Sequence, residues 1–168
     1  DVPCSGEGMF RKDEGAVNDW SRENVELCRQ RQQRILADVW PALKPGGLLI
    51  YSTCTYNIKE DEENVAWICR ELGAEALPVE YHSSWGITGN LLPGASFAVA
   101  RFLPSRTKGE GLFMAALRKS GSAADEAESS SIRPRKERRG KRGGSSAVAS
   151  DKALARLVNR QQEEQLRS

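Results

Sequence analysis

The chain has 168 residues, 25 Lys and Arg against 23 Asp and Glu, and a formal charge of +2. That length holds one domain and little more. No apolar run approaches a bilayer span, no signal-peptide pattern appears, and Cys4, Cys28, Cys54 and Cys69 lack close C-x-x-C spacing, so membrane and zinc classes are unsupported and the cysteines read as thiols of an intracellular, cytoplasmic protein.

The chain opens directly on Asp1-Val2-Pro3-Cys4-Ser5-Gly6, a tight glycine-bearing turn, and we expect a fragment cut inside a domain. A helix is predicted over about 18–43, where Val25, Cys28, Ile35, Leu36, Val39 and Leu43 recur at three- and four-residue spacing and Pro41 bends or ends it. Lys44-Pro45-Gly46-Gly47 is a turn, and the apolar run Leu48 to Thr53 reads as a strand covered on both faces because it does not alternate. Cys54 sits where that strand runs out into a loop, within Ser52-Thr53-Cys54-Thr55-Tyr56. A second helix is expected over about 60–72, with Val65, Ile68, Cys69 and Leu72 inward and acids in its first turn, where the dipole favours them. Pro78 limits 77–81 to an edge strand. Strands are expected at 97–103 and 111–117, around a basic loop from Arg101 to Lys108. Helices alternating with strands, then a late strand pair, describe the second half of a doubly wound α/β sheet occupying residues 1–120.

Residues 121–150 carry too little apolar surface to offset their ordering entropy and read as a flexible basic linker. Residues 151–168 regain helical character, with Asp151 as N-cap and Leu154, Leu157 and Val158 on one face, and read as the start of a helical or further C-terminal domain.

In open α/β sheets, ligands bind at the carboxyl ends of the strands. Cys4 and Cys54, each read at such an end, suggest one pocket and sulfur chemistry. A thiolate is a soft nucleophile available near neutral pH. Its addition to C6 of a pyrimidine makes C5 an enolate-like carbon that accepts a methyl group from a sulfonium donor; the C5 proton then leaves and the sulfur is expelled. The sequence needs an attacking cysteine, a group that handles protons and a carboxylate. Cys54, Cys4 and Asp1 supply those types, with structural packing as the competing reading of any single cysteine.

Three stretches carry a resemblance. The run from Asp1 to Lys12 resembles motif IV of the Sun-type RNA cytosine-5 methyltransferases, and the run from Pro45 to Tyr56 resembles their motif VI. Arg101 to Pro104, followed by Gly109 to Ala115, is similar to their motif VIII, and Asn57 and the acidic stretch from Glu60 to Asn64 are also typical. The bacterial RsmF-like 16S ribosomal RNA subgroup is the most similar. The resemblance implies the C-terminal half of a class I (Rossmann-like) methyltransferase sheet. It implies S-adenosyl-L-methionine as cofactor and RNA, ribosomal RNA in particular, as substrate and partner. It makes Cys54 the nucleophile and Cys4 the cysteine that assists product release, and assigns Asp1 to the cofactor site and base positioning. DNA cytosine-5 methyltransferases place their nucleophile in a Pro-Cys motif and lack the Thr-Cys partner. The family's glycine-rich cofactor loop and ribose-holding acid precede motif IV, so the chain alone is expected to bind the donor poorly and to be inactive. The alternative is a non-catalytic RNA-binding fragment or subunit.

Against that background, Arg11, Lys12, Arg101, Arg106 and Lys108 read either as a phosphate-contacting rim or as solvated loops. Cys28 and Cys69 read as packing, His82 as a loop residue, and the tryptophans as packing aromatics, with Trp85 also suited to stacking on a base. Residues 133–142 hold seven Lys or Arg against one Glu. They suit sequence-independent phosphate binding; a soluble linker and a nuclear localisation signal are the other readings.

Overall fold

The computed structural model describes residues 1–121. The linker, its basic run and the terminal helix read from the sequence lie outside the described residues, Gly121 apart.

The helix predicted over about 18–43 is shorter than expected, and a separate short helix precedes it. Helix α1 spans Glu14–Asp19 and helix α2 spans Arg22–Val39. The break comes from capping: Ser21 is extended, and its hydroxyl accepts a hydrogen bond from Asn24 N at 3.0 Å. That satisfies one of the donors a helix start leaves orphaned, worth about 1 kcal/mol. Pro41 ends α2 as expected, falling inside a 3₁₀ turn over Trp40–Ala42.

Strand β1, Leu48–Thr53, follows the glycine turn. Helix α3, Glu62–Leu72, then runs to Gly73, a left-handed C-cap with φ 68° whose N–H bonds Ile68 O. Strand β2 is Ala74–Leu77, ending before the proline rather than spanning 77–81 as expected. Pairing decides this: Ala74 to Leu77 face Lys119 to Ala116 in register, whereas Pro78 has no N–H to continue a ladder. Strand β3 shrinks to Ala100–Phe102, and strand β4 extends over Leu112–Lys119.

Strand β4 is central. It pairs antiparallel with β1 along one edge, and with β2 and β3 end to end along the other. Strands β1 and β2 therefore run parallel to one another across it. Tyr51, Phe113, Ala115 and Leu117 from one face of the sheet pack with Leu36, Trp40, Val65, Trp67 and Ile68 from the helical layer. Each large side chain so buried contributes roughly 1.5–3 kcal/mol.

Burial of β1 on both faces is not observed. Tyr51 is buried, whereas Leu48 and Ile50 are 60% and 62% exposed. The described helices cover one face only, so β1 alternates in exposure although its residues do not alternate in polarity. No described helix is long and apolar enough to cross a membrane.

Candidate active site

The two cysteines meet. Cys54 follows the last residue of β1, and Cys4 stands in the N-terminal turn that runs beside that strand end. Backbone bonds tie the two segments on both sides of the thiols: Val2 N donates to Ser52 O at 3.1 Å and Gly8 N donates to Cys54 O at 2.7 Å. The sulfurs lie 3.3 Å apart, both half-buried. Gly8 permits this approach. A Cβ there would sit 2.5 Å from Cys54 O, a backbone atom that cannot swing away.

The contact splits the two thiols. The Cys4 S–H, as donor, holds the Cys54 thiolate and lowers its pKa to about 6, against the opposing effects of burial and of Glu60's charge. Cys4 is pushed the other way, first by that same bond and then by its own burial, and keeps its proton. Cys4 is the more deeply buried, so the charge rests on Cys54. The pair is one thiolate and one thiol, and a thiolate with an adjacent proton donor is equipped for nucleophilic addition.

Buried carboxylates hold the walls. Glu7 Oε2 accepts from Tyr56 N at 2.6 Å and its Oε1 from Trp20 Nε1 at 3.0 Å. Glu60, fully buried, reaches Ser5 and Asn57. The run Glu60-Asp61-Glu62, read from sequence as dipole-complementing acids, is 0% exposed at all three positions. Only the hydrogen-bond donors folded around them reveal that role; the one sequence clue is acids crowded directly behind the Cys54 motif.

Of the residues expected at the phosphate rim, Arg101 is placed elsewhere. It is 1% exposed, with its guanidinium 3.1 Å from Asp61 and paired to Glu62, donating to Tyr56 O at 2.6 Å and lying over the Phe113 ring. A buried cation already paired with two acidic side chains does not meet phosphate. Motif position hid this, because β3 turns Arg101 inward.

The others are at the surface. Arg11 is exposed, pairing with Glu110 at 3.1 Å and donating to Gly109 O at 2.5 Å; Lys12 lies 3.9 Å from Glu110. Arg106 and Lys108 are exposed in the loop between β3 and β4. That loop returns to the thiols through Glu110, whose backbone carbonyl accepts from the Tyr56 hydroxyl. Trp85 is 62% exposed and belongs to no core; Gly86 beside it lies so close to the Arg106 carbonyl that a Cβ would approach within 2.7 Å. His82 caps its own turn through Ser84. Cys28 is buried on α2 and Cys69 partly buried on α3. Asp1 is exposed.

A family model described as 16S rRNA methyltransferase RsmB/F matches residues 1–118. The chain is similar to the ribosomal RNA small subunit methyltransferase F of Pectobacterium atrosepticum, with 40% identity over 128 residues, 73% of this chain and 25% of that protein. It is likewise similar to the Escherichia coli protein of the same name, with 39% identity over 126 residues, 71% of this chain and 24% of that one. Among solved structures, it resembles NSun6 from Pyrococcus horikoshii with SFG, at a TM-score of 0.58 and 27% identity over 73% of this chain and 29% of that one. A methyltransferase homologue from the same organism gives a TM-score of 0.55 at 28% identity, covering 70% and 36%. The chain spans about a quarter of the length of the curated relatives it matches. The α/β, Rossmann-like methyltransferase architecture expected above is the fold.

Proposed function

Because the chain belongs to the 16S rRNA methyltransferase RsmB/F family, we propose that it carries the nucleophile side of an S-adenosyl-L-methionine-dependent RNA cytosine-5 methyltransferase acting on ribosomal RNA. The observation that carries this reading is the pair of sulfurs 3.3 Å apart beside the end of β1. One cysteine contact of this kind supplies both a nucleophile and a proton carrier for C5 chemistry.

In this mechanism the Cys54 thiolate bonds to C6 of the cytosine, and the C5–C6 π pair moves toward C5. The methyl group that C5 then takes is what S-adenosyl-L-methionine supplies when bound. With Cys54 consumed in the adduct, Cys4 no longer serves a neighbouring thiolate; it releases its proton to solvent and its sulfur takes the proton from C5. The C5–C6 double bond re-forms, the S–C6 bond breaks, and Cys54 returns as thiolate. The NSun6 relative was solved with SFG. Among the described residues we assign one contact to the methyl donor: Asp1, whose exposed carboxylate fits as an acceptor for a donor's hydroxyl or ammonium groups. Arg11, Lys12, Arg106 and Lys108 are exposed cations that we assign to the RNA backbone.

The test is a trapping experiment in the full-length protein with RNA bearing 5-fluorocytosine. There the carbon that must lose its proton carries fluorine, and the covalent adduct persists. A protein–RNA adduct is expected, lost in Cys54→Ala and kept or increased in Cys4→Ala. Normal methylation of 16S ribosomal RNA by Cys54→Ser would refute the assignment.

A further inference from the structure

We infer that Glu60, working with Asn57, is the positioning residue that holds the Cys4 and Cys54 loops in contact. The inference rests on the proposed reaction for its purpose, but on geometry alone for its content.

Glu60 lies in the turn before α3, outside both cysteine motifs, and is fully buried. Every side chain or backbone group bonded to its carboxylate is a donor. Ser5 N, the amide next to Cys4, is shared between the two oxygens at 3.1 and 3.3 Å. Gln32 Nε2 donates to Oε2 at 2.6 Å while also donating to Pro3 O at 2.8 Å, so α2 grips the Cys4 turn and the carboxylate together. Asn57 Nδ2, three residues past Cys54, lies 2.8 Å from Oε1 and 2.6 Å from Thr55 Oγ1. An amide nitrogen has two hydrogens, and these two shortest contacts use both. Asn57 Oδ1 in turn accepts from Glu60 N at 2.8 Å, closing the ring. Thr55 Oγ1 and Ser5 Oγ, each one residue beyond a cysteine, lie 3.3 Å apart. One carboxylate thus binds the residue after Cys4 directly and the residue after Cys54 through a single amide.

The donors to the Glu60 carboxylate, one backbone N–H and two side-chain NH₂ groups, have no acceptor to offer in return. An acceptor-only group at the centre of three donors is what ionised Glu provides and Gln does not, because the new NH₂ must face Gln32 or Asn57. Glu60 touches neither sulfur, so its action on them is through position.

The experiment compares the full-length protein with Glu60→Gln and Asn57→Ala. The first measurement is the rate at which diamide, as thiol oxidant, joins Cys4 to Cys54, mapped by mass spectrometry. The second is the pH at which iodoacetamide labelling of Cys54 is half-maximal. Loss of the clamp separates the sulfurs, so disulfide formation slows by about tenfold or more. The labelling midpoint moves up from about 6, because the Cys4 hydrogen bond that lowers it is lost. If Glu60 were merely a nearby charge, its removal would leave the crosslinking rate unchanged and move the midpoint down, since its charge opposes the thiolate. That outcome overturns the inference. If Glu60→Gln fails to fold, as judged by circular dichroism, Asn57→Ala decides by the same two readouts. Slowed crosslinking in a protein that methylates no cytosine keeps the clamp and sinks the reaction; intact crosslinking with lost methylation does the reverse.

Discussion

Cys54 is reactive because of what Cys4 does to it. The prediction at this level is a labelling profile: iodoacetamide modification of Cys54 rises through a midpoint of about 6 and is close to its plateau at neutral pH. Cys4→Ala removes the S–H donor that stabilises the charged form, so the midpoint moves up, toward the ordinary thiol value, and labelling at pH 7 slows. A midpoint unchanged by that substitution would mean the two sulfurs do not share a proton. The two cysteines were legible from their motifs as candidates, and Gly8 stood in the first of them. The closeness was not readable, since fifty positions separate Cys4 from Cys54 and sulfur–sulfur distance depends on two loops meeting. Arg101 shows the opposite case: its motif placed it near the site, but β3 buries it. No spacing rule in the chain says which way a three-residue strand faces.

Arg101 joins β3 to the start of α3 through Asp61 and Glu62. A buried charge that loses its partner is far more costly than an exposed one, so Arg101→Met is expected to destabilise the protein by about 3–5 kcal/mol. The sign of its pH dependence is testable. Burial already pushes Asp61 up to about 8, despite the nearby guanidinium. Without the cation, which lowers that value, Asp61 holds its proton still more tightly than in the unfolded chain. In the native protein the Asp61 contribution to stability is lost as pH rises from the ordinary carboxylate range through about 8; in the variant that loss continues above 8. Thermal melts should therefore show a smaller penalty for Arg101→Met at pH 7 than at pH 10, above the native Asp61 value; an equal penalty would remove the buried-charge account. Helix positions were legible because apolar residues at three- and four-residue spacing need a core. The break at Ser21 and the start of β2 at Ala74 were not. The first depends on one side-chain cap and the second on register against β4, and neither has a periodic signature.

Across the surface, Arg106, Lys108 and the exposed Trp85 border the loop that returns to Cys54 through Glu110 and Tyr56. For RNA binding, each lost phosphate contact lowers the slope of log affinity against log salt by roughly 0.7–0.9. The double variant Arg106→Gln, Lys108→Gln in the full-length protein is therefore expected to reduce that slope by about 1–2, measured by filter binding across salt concentrations. An unchanged slope would take this loop out of the RNA path. Residue types alone already determined the chemistry on offer and the α/β order of the described region, because nucleophilicity and helical or strand periodicity are local properties of the chain. Folding decided which of those groups work together. It brought two thiols from distant loops to 3.3 Å, chose Cys54 over Cys4 to bear the charge, and turned Arg101, a rim candidate, and Glu60, a helix-start acid, into buried supports. Proximity, desolvation and hydrogen-bond partnership arise only when distant segments pack.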